Sequence, residues 1–367
     1  MHITIQREDL LKPLSYVAGV VEKRQTLPIL SFVLLRQDNS EVTLTGTDLE
    51  VEIIARVKTE HSASGELTLP ARKLLDICRA LPEGAAIDIR KDGEKASVKS
   101  GKSRFSLLTL PATDFPNIQA SPWNQSISVP QATLRNLLQQ THFCMAQQDM
   151  RYFLNGLLVE LGDSQLRVVG TDGHRMAVSE SKLERNTQDL KQIIIPRKGV
   201  HEFMRLLEDV SDPVELQLNA NHVRARTADF VFTSKLIDGK YPDYTKVIPA
   251  PQNKLVHVER EALRESLSRA AILSNEKYHG VRLALANNKG LKISAHNPEQ
   301  EEAQEEISAD YSGEAMEIGF NVSYMLEAIN ALHSQQVVIG LTDANSSCTI
   351  SSPDTKTPLY VIMPMRL

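Results

Sequence analysis

The sequence has few cysteines. Cys78, Cys144 and Cys348 are odd in number and far apart, so no disulfide framework and no paired spacing for a zinc site is expected, and reduced thiols fit a cytoplasmic location. No apolar run approaches the roughly 18 residues of a membrane-spanning helix. The opening MHITIQREDL has no cationic leader followed by an apolar core, which leaves the cytoplasm as the expected compartment. An excess of positive charge is also missing. Lys plus Arg total 41 against 46 Asp plus Glu, a net charge of -5, so any polyanion must be met by a local cationic surface. With 41% hydrophobic and 24% charged residues, 17 Gly and 17 Pro, the composition excludes disordered, collagenous and membrane-embedded chains.

What is present is repetition. The 367 residues suffice for two or three cores. Three segments begin alike: ITIQREDLLKPL from Ile3, ISVPQATLRNLL from Ile127 and VHVEREALRESL from Val256. Each reads as a short alternating strand entering a helix. A related pattern recurs inside each unit, in LTLPARKLLDICRAL from Leu67, IIIPRKGVHEFMRLL from Ile193 and IGFNVSYMLEAINAL from Ile318. Pro70 and Pro196 mark helix starts, where a missing amide donor is tolerated. Runs such as SFVLLRQDNSEVTLTGTD read as paired antiparallel strands with a turn at Asp38-Asn39. The expected fold is α+β, with three topologically similar domains at 1–125, 126–253 and 254–367. Each domain is a duplicated β-α-β-β-β unit, and each half-unit reads as a helix over sheet. Helices are predicted over 7–24, 71–81, 131–147, 197–209, 260–270 and 322–333.

A module of this size carries its own core, so the array is not a solenoid of small repeats. If the two ends of such an array complement each other, two chains close by cyclic symmetry. The ends differ in charge: Glu299, Glu301, Glu302, Glu305 and Glu306 cluster in the third domain, and Lys73, Lys95, Lys102 and Arg104 lie in the first. Charge alone also fits two ordinary solvated surfaces. Within the predicted helices basic residues outnumber acidic ones, while the rest of the chain is acidic. Arg7, Lys12, Arg72, Lys73, Arg135, Arg197, Lys198, Arg205, Arg260 and Arg264 are therefore candidates to face phosphates without base specificity. The competing reading is scattered helix surface charge.

Enzyme motifs fail on inspection. GKS at 101–103 has Ala96 where a phosphate loop needs its first glycine, and His201-Glu202 has Arg205 in place of the second metalloprotease histidine. Asp172 and His174 come with no nucleophile or third partner, so a turn or binding role is favoured over acid-base chemistry. No catalytic residue, metal or cofactor is expected. Asn345-Ser346-Ser347 matches a glycosylation sequon, set aside without a secretory signal.

Four motifs then carry a resemblance: TGTDLEVEI at 45–53, RYFLNGLLVE at 151–160, VVGTDGHRMAV at 168–178 and YVIMPMRL at 360–367. With the whole-length repeats, the chain closely resembles the bacterial DNA polymerase III beta sliding clamp family. The resemblance implies a head-to-tail dimeric ring, helices facing duplex DNA, and processivity instead of chemical turnover. It implies as partners the replicative polymerase, an ATP-dependent clamp loader, and other DNA polymerases and repair proteins carrying short clamp-binding peptides. It places a peptide groove at Leu154, Thr171, Gly173, His174, Arg175, Met176, Pro242, Lys246, Val247, Ser346, Met363, Pro364, Met365 and Arg366. Lys246 departs from the Arg expected there, keeping charge but losing planar bidentate bonding. For DNA it adds Arg24, Gln148, Asp149, Arg151 and Tyr152. It sets Ile272 and Leu273 against Phe105 and Leu107 at a subunit junction, oriented by opposite charges on Lys73, Lys95 and Arg104 and on Glu299, Glu301 and Glu302. The alternatives are a non-ring interaction scaffold and a phosphate-processing enzyme; retention by a closed ring discriminates among them.

Overall fold

The structure, a computed structural model, describes residues 1–21, 27–59, 64–118, 122–162, 164–183, 191–287 and 289–366. One pattern, a strand, a helix and three strands, occurs six times among the described residues. The first sixth is β1 (His2–Gln6), α1 (Arg7–Val20), β2 (Phe32–Asp38), β3 (Glu41–Thr47) and β4 (Val51–Lys58). The second is β5 (Gly65–Pro70), α2 (Ala71–Ala80), β6 (Ala86–Asp92), β7 (Lys95–Ser100) and β8 (Ser103–Leu108). Next come β9 (Gln125–Pro130), α3 (Gln131–Gln139), β10 (Gly156–Gly162), β11 (Gln165–Thr171) and β12 (Arg175–Lys182). The fourth is β13 (Lys191–Pro196), α4 (Arg197–Leu206), β14 (Pro213–Leu218), β15 (His222–Arg226) and β16 (Phe230–Lys235). The fifth is β17 (Lys254–Glu259), α5 (Arg260–Ala271), β18 (Gly280–Leu285), β19 (Leu291–His296) and β20 (Glu302–Ile307), with a short β21 (Ala309–Asp310). The last is β22 (Met316–Asn321), α6 (Val322–Asn330), β23 (Gln336–Leu341), β24 (Cys348–Ser351) and β25 (Leu359–Ile362).

Local chemistry explains these boundaries. Strand β1 alternates, burying Ile3 and Ile5, and α1 buries Leu10, Leu14, Val17 and Ala18 along one stripe. The Glu259 carboxylate accepts from the amides of Glu261 and Ala262 at the start of α5, and Asn321 does the same for Ser323 and Tyr324 at α6. Helix α3 is shorter than the predicted 131–147. It ends at Gln139, and Thr141 donates its hydroxyl to the Leu137 carbonyl at 2.8 Å. The His142 ring bonds the carbonyls of Leu138 and Gln139. These side chains satisfy the last helical acceptors, and a single tight turn, His142–Cys144, follows. Helix α1 ends at Val20, and the remainder of the predicted 7–24 span, Arg24 included, falls largely outside the described residues.

The half-units are not self-contained. Each helix-launching strand joins the sheet of its sister half: β1 pairs with β6, β5 with β2, β9 with β14, β13 with β10, β17 with β23 and β22 with β18. A helix and its return strands thus cannot separate without breaking the neighbouring sheet. Six four-stranded groups result, and four of them fuse in pairs. β4 pairs antiparallel with β16, giving the order β5-β2-β3-β4-β16-β15-β14-β9. β12 pairs antiparallel with β25, giving β13-β10-β11-β12-β25-β24-β23-β17-β21. The groups β1-β6-β7-β8 and β20-β19-β18-β22 stay four-stranded.

The chain divides into two compact units, Met1–Leu134 with Lys198–Leu236, and Arg135–Arg197 with Ile237–Leu367. The first holds the eight-stranded sheet and the group ending in β8, with α1 packed on α2 and across β3 and β4. The second holds the nine-stranded sheet and the group ending in β20, with α5 packed on α6 and across β19 and β20. Leu263, Leu267, Phe320, Met325 and Ile339 belong to its core. Among the described residues no helix is long and apolar enough to cross a membrane.

Candidate functional site

The residues expected to form a peptide groove lie in the second unit, most of them around the joint of β12 and β25. Arg175 lies opposite Ile362 and Met176 opposite Val361, and the next amide, of Met363, donates to the His174 carbonyl at 3.0 Å. Leu154 and Met176 are buried with Leu158, Val169, Tyr241, Tyr244 and Val361, so they form a floor. Val247, next to Ile248 at the edge of this cluster, and Met363, two residues past its Val361, are 50% and 47% exposed. The turn between β11 and β12 is tightly built. Asp172 Oδ1 accepts from the amides of His174 and Arg175, and Gly173 sits at φ 88, where a Cβ would also meet the Arg151 guanidinium at 2.9 Å. Asp172 therefore organises a turn, as expected over acid-base chemistry.

The amide of Thr171 donates to the Tyr241 hydroxyl at 3.1 Å, which draws the segment Pro242–Val247 to the same turn. Within that segment Lys246 is exposed and pairs with Asp243 at 3.3 Å. Cys348 opposite Ile362 leads Ser346, which donates to Asp343 at 2.8 Å, toward the Met363–Pro364 end of the tail. Met365 and Arg366 turn elsewhere. The Met365 amide donates to the Gly319 carbonyl at 2.8 Å, and both residues line a cavity of about 360 Å³ with Tyr278, His296 and Pro298.

Arg175 is the hub of the site. Its side chain is 10% exposed; Nε donates to Asp172 Oδ2 at 3.1 Å, one terminal nitrogen donates to the Phe143 carbonyl at 2.6 Å, and the other pairs with Glu327. The guanidinium lies over the Tyr324 ring, 4.2 Å from its centroid. Phe143, Tyr324 and Glu327 were not marked by any sequence motif. They are distant in the chain and reach Arg175 only through the β12–β25 joint and α6.

The proposed DNA contacts are distributed over several elements. Gln148 adopts φ 55 in a turn where Asp149 accepts from the Arg151 guanidinium at 2.8 Å and Asn155 closes the turn through Asp149. The hydrogen bonds from Arg151 hold the Asp149 carboxyl well below its usual range, at about 2. Arg151 also reaches the Asp172 carbonyl, and Tyr152 is exposed. Arg72, on α2, donates to the Val21 carbonyl at 2.8 Å, and Arg205, on α4, to the carbonyls of Ser15 and Tyr16. Arg197 donates to the Met145 carbonyl, Lys198 pairs with Asp48, and Arg135 Nε is buried without a hydrogen-bond partner among the described residues. A guanidinium has five N–H donors, so Arg72 and Arg197 tie down main chain while retaining donors for another group, whereas Arg205 also pairs with Glu202 at 2.7 Å.

The residues expected at a subunit junction lie on or beside the groups that stay four-stranded. Arg104, Phe105 and Leu107 are on β8, whose other edge has no partner strand among the described residues, and Lys95 and Lys73 are exposed on β7 and α2. Lys99 sits directly opposite Arg104 across β7 and β8. Ile272, just past α5, is 77% exposed beside Leu273, and Leu108, which sequence reasoning missed, is 63% exposed at the end of β8. Glu299, Glu301 and Glu302 are exposed at the start of β20, with the Glu301 carboxylate held by Asn297 at 2.6 Å.

Three successive segments match family profiles described as the DNA polymerase III beta subunit N-terminal domain (1–119), central domain (128–243) and C-terminal domain (245–366). A beta sliding clamp of Pseudomonas putida is 54% identical over 368 residues, covering 100% of both chains. A crystal structure of the DNA polymerase III subunit beta from Pseudomonas aeruginosa, 53% identical, superposes with a TM-score of 0.96 over 100% of both chains. Another, of a sliding clamp from the same organism bound to griselimycin, is 53% identical and reaches 0.97 over 100% of both chains. With three domains in series and full-length similarity, the chain belongs to the DNA polymerase III beta subunit family, the beta sliding clamps.

Proposed function

We propose that two copies of this chain close head to tail around duplex DNA and tether DNA polymerases to it. Sliding clamps are non-enzymatic processivity factors, and the strand bookkeeping supports the ring. In both internal joints the last strand of one four-stranded group pairs antiparallel with the last strand of another, β4 with β16 and β12 with β25. By that rule β8 and β20 are the two last strands left with a free edge among the described residues. Pairing β8 of one copy with β20 of the other extends the rule to both ends, and two such heterologous contacts close a two-membered ring. An unpaired edge with exposed Leu108 is an aggregation hazard unless covered. Like charges directly opposite, as at Lys99 and Arg104, cost stability that the facing Glu302 and Glu306 offset.

A closed collar needs no tight DNA contact. Diffuse phosphate attraction from Arg24, Arg72, Arg135, Gln148, Arg151, Tyr152, Arg197, Lys198 and Arg205 is sequence-independent, so many positions along the duplex are nearly equivalent. Encirclement provides retention, and tethering raises the effective concentration of a polymerase at the primer end. The domains run 1–125, 126–253 and 254–367 in this reading. The groove over Leu154 and Met176, edged by Val247 and Met363, accepts Leu or Phe side chains of short peptides from polymerases, a clamp loader and repair proteins in the cytoplasm. Met side chains let several partners share it.

The test is peptide binding by fluorescence anisotropy with mass measured in parallel. Met363→Ala weakens binding of a fluorescein-labelled peptide ending in Leu-Phe by roughly tenfold, the loss expected for an apolar anchor, and leaves dimer mass unchanged. Normal affinity would move the groove elsewhere.

A further inference from the structure

We propose that the Tyr244 hydroxyl is a positioning group for peptide capture, pinning the groove wall that carries Pro242, Lys246 and Val247 to the sheet beneath. This rests on the groove reading above and adds residues outside it. The wall ends in a single tight turn, Tyr244–Lys246, and the amide of Val247 donates to the Tyr244 carbonyl at 3.0 Å. Lys246 and Val247 therefore hang directly from Tyr244. Its hydroxyl donates to Glu160 Oε2 at 2.6 Å and accepts from Arg167 at 3.1 Å. Glu160, buried on β10, also accepts from the Gln192 amide at 2.7 Å, and Arg167, on β11, donates to Glu180 at 2.8 Å.

Packing does not do this work alone. Beside the wall lies a cavity of about 480 Å³, lined by Leu158, Glu160, Arg167, Gln192, Tyr241 and Pro242 among others. On that side the wall is held by polar bonds across a space. Loss of the hydroxyl leaves the Oε2 atom of a buried carboxylate with only Arg167, at 3.4 Å, in place of a 2.6 Å bond, with a larger penalty than the net value of an exposed bond. Burial, then the Glu160 carboxylate, push the Tyr244 hydroxyl up to about 12, so it stays a donor throughout the neutral range. A loosened wall lowers the fraction of molecules ready to bind, and apparent affinity falls by that fraction.

The experiment compares wild type, Tyr244→Phe, Glu160→Gln and Met363→Ala in the full-length dimer, using the Leu-Phe peptide and amide hydrogen exchange at Val247. Tyr244→Phe is expected to weaken the peptide by roughly three- to tenfold and to speed Val247 exchange, with dimer mass unchanged. Glu160→Gln keeps the phenol and removes the charged acceptor, and shifts both readouts the same way; it decides the matter if Tyr244→Phe fails to fold. Affinity and exchange both within about twofold of wild type, against the loss expected for one buried bond, would overturn the proposal. Met363→Ala separates the two readings: if it loses the peptide while Tyr244→Phe does not, the pin alone falls, and if it binds normally the groove itself is misplaced.

Discussion

Substituting Ile272→Asp together with Leu273→Asp splits the dimer into monomers. Ile272 is 77% exposed in the single chain, directly past α5 and its salt bridge from Arg269 to Glu305 on β20 at 2.7 Å. Burying each of these side chains at a junction contributes about 1.5–3 kcal/mol. Aspartate removes that term and places a carboxylate in the apolar contact, where burial without a partner is costly. The expected change is roughly a 10²–10⁴-fold weaker dissociation constant per junction, read by native mass spectrometry across a dilution series. Peptide binding stays normal, because the proposed groove lies at the β12–β25 joint. An unchanged dimer would remove both residues from the junction.

The second large effect is at Arg175. Arg175→Ala leaves the Asp172 carboxylate, Glu327 and the Phe143 carbonyl without their shared donor and uncovers the Tyr324 ring. Breaking a buried ion pair from one side costs about 3–5 kcal/mol. Glu327 is 46% exposed and recovers water, so the lower end applies. Calorimetry should show a drop of about 6–12 °C in the transition of the affected unit, and anisotropy a loss of peptide binding beyond tenfold. Arg175→Lys restores the charge but not the forked donation to Asp172 and the Phe143 carbonyl, and recovers stability only in part. A variant with wild-type melting and affinity would show that the hub is decorative.

The six strand-to-helix starts were legible because each depends on local period. The segments from Ile3, Leu67, Ile127, Ile193, Val256 and Ile318 all fall where a strand enters a helix. The strand exchange was not legible: β1 and β5 have the same alternation whichever sheet they join, and pairing partners are set by chain-distant packing. The predicted 131–147 overshoots α3, because Thr141 and His142 side chains bond the terminal carbonyls. At the groove, the motifs pointed to Thr171 through Met176 and to the tail. They did not show that Leu154 and Met176 are buried, that Met365 and Arg366 turn toward Tyr278, or that Tyr324, Glu327 and Tyr244 belong to the same construction. Those residues come together only through the joint between β12 and β25 and through buried polar bonds, which leave no spacing in the sequence.

Encirclement is tested most directly by retention on DNA. The clamp is loaded onto nicked circular duplex by a clamp loader, separated by gel filtration at moderate salt, and followed before and after the circle is cut once. The ring account predicts that it stays on the circle and is lost from the linear form, because only an end releases a closed collar. Equal loss from both forms, with the steep salt dependence of ordinary phosphate binding, would contradict it.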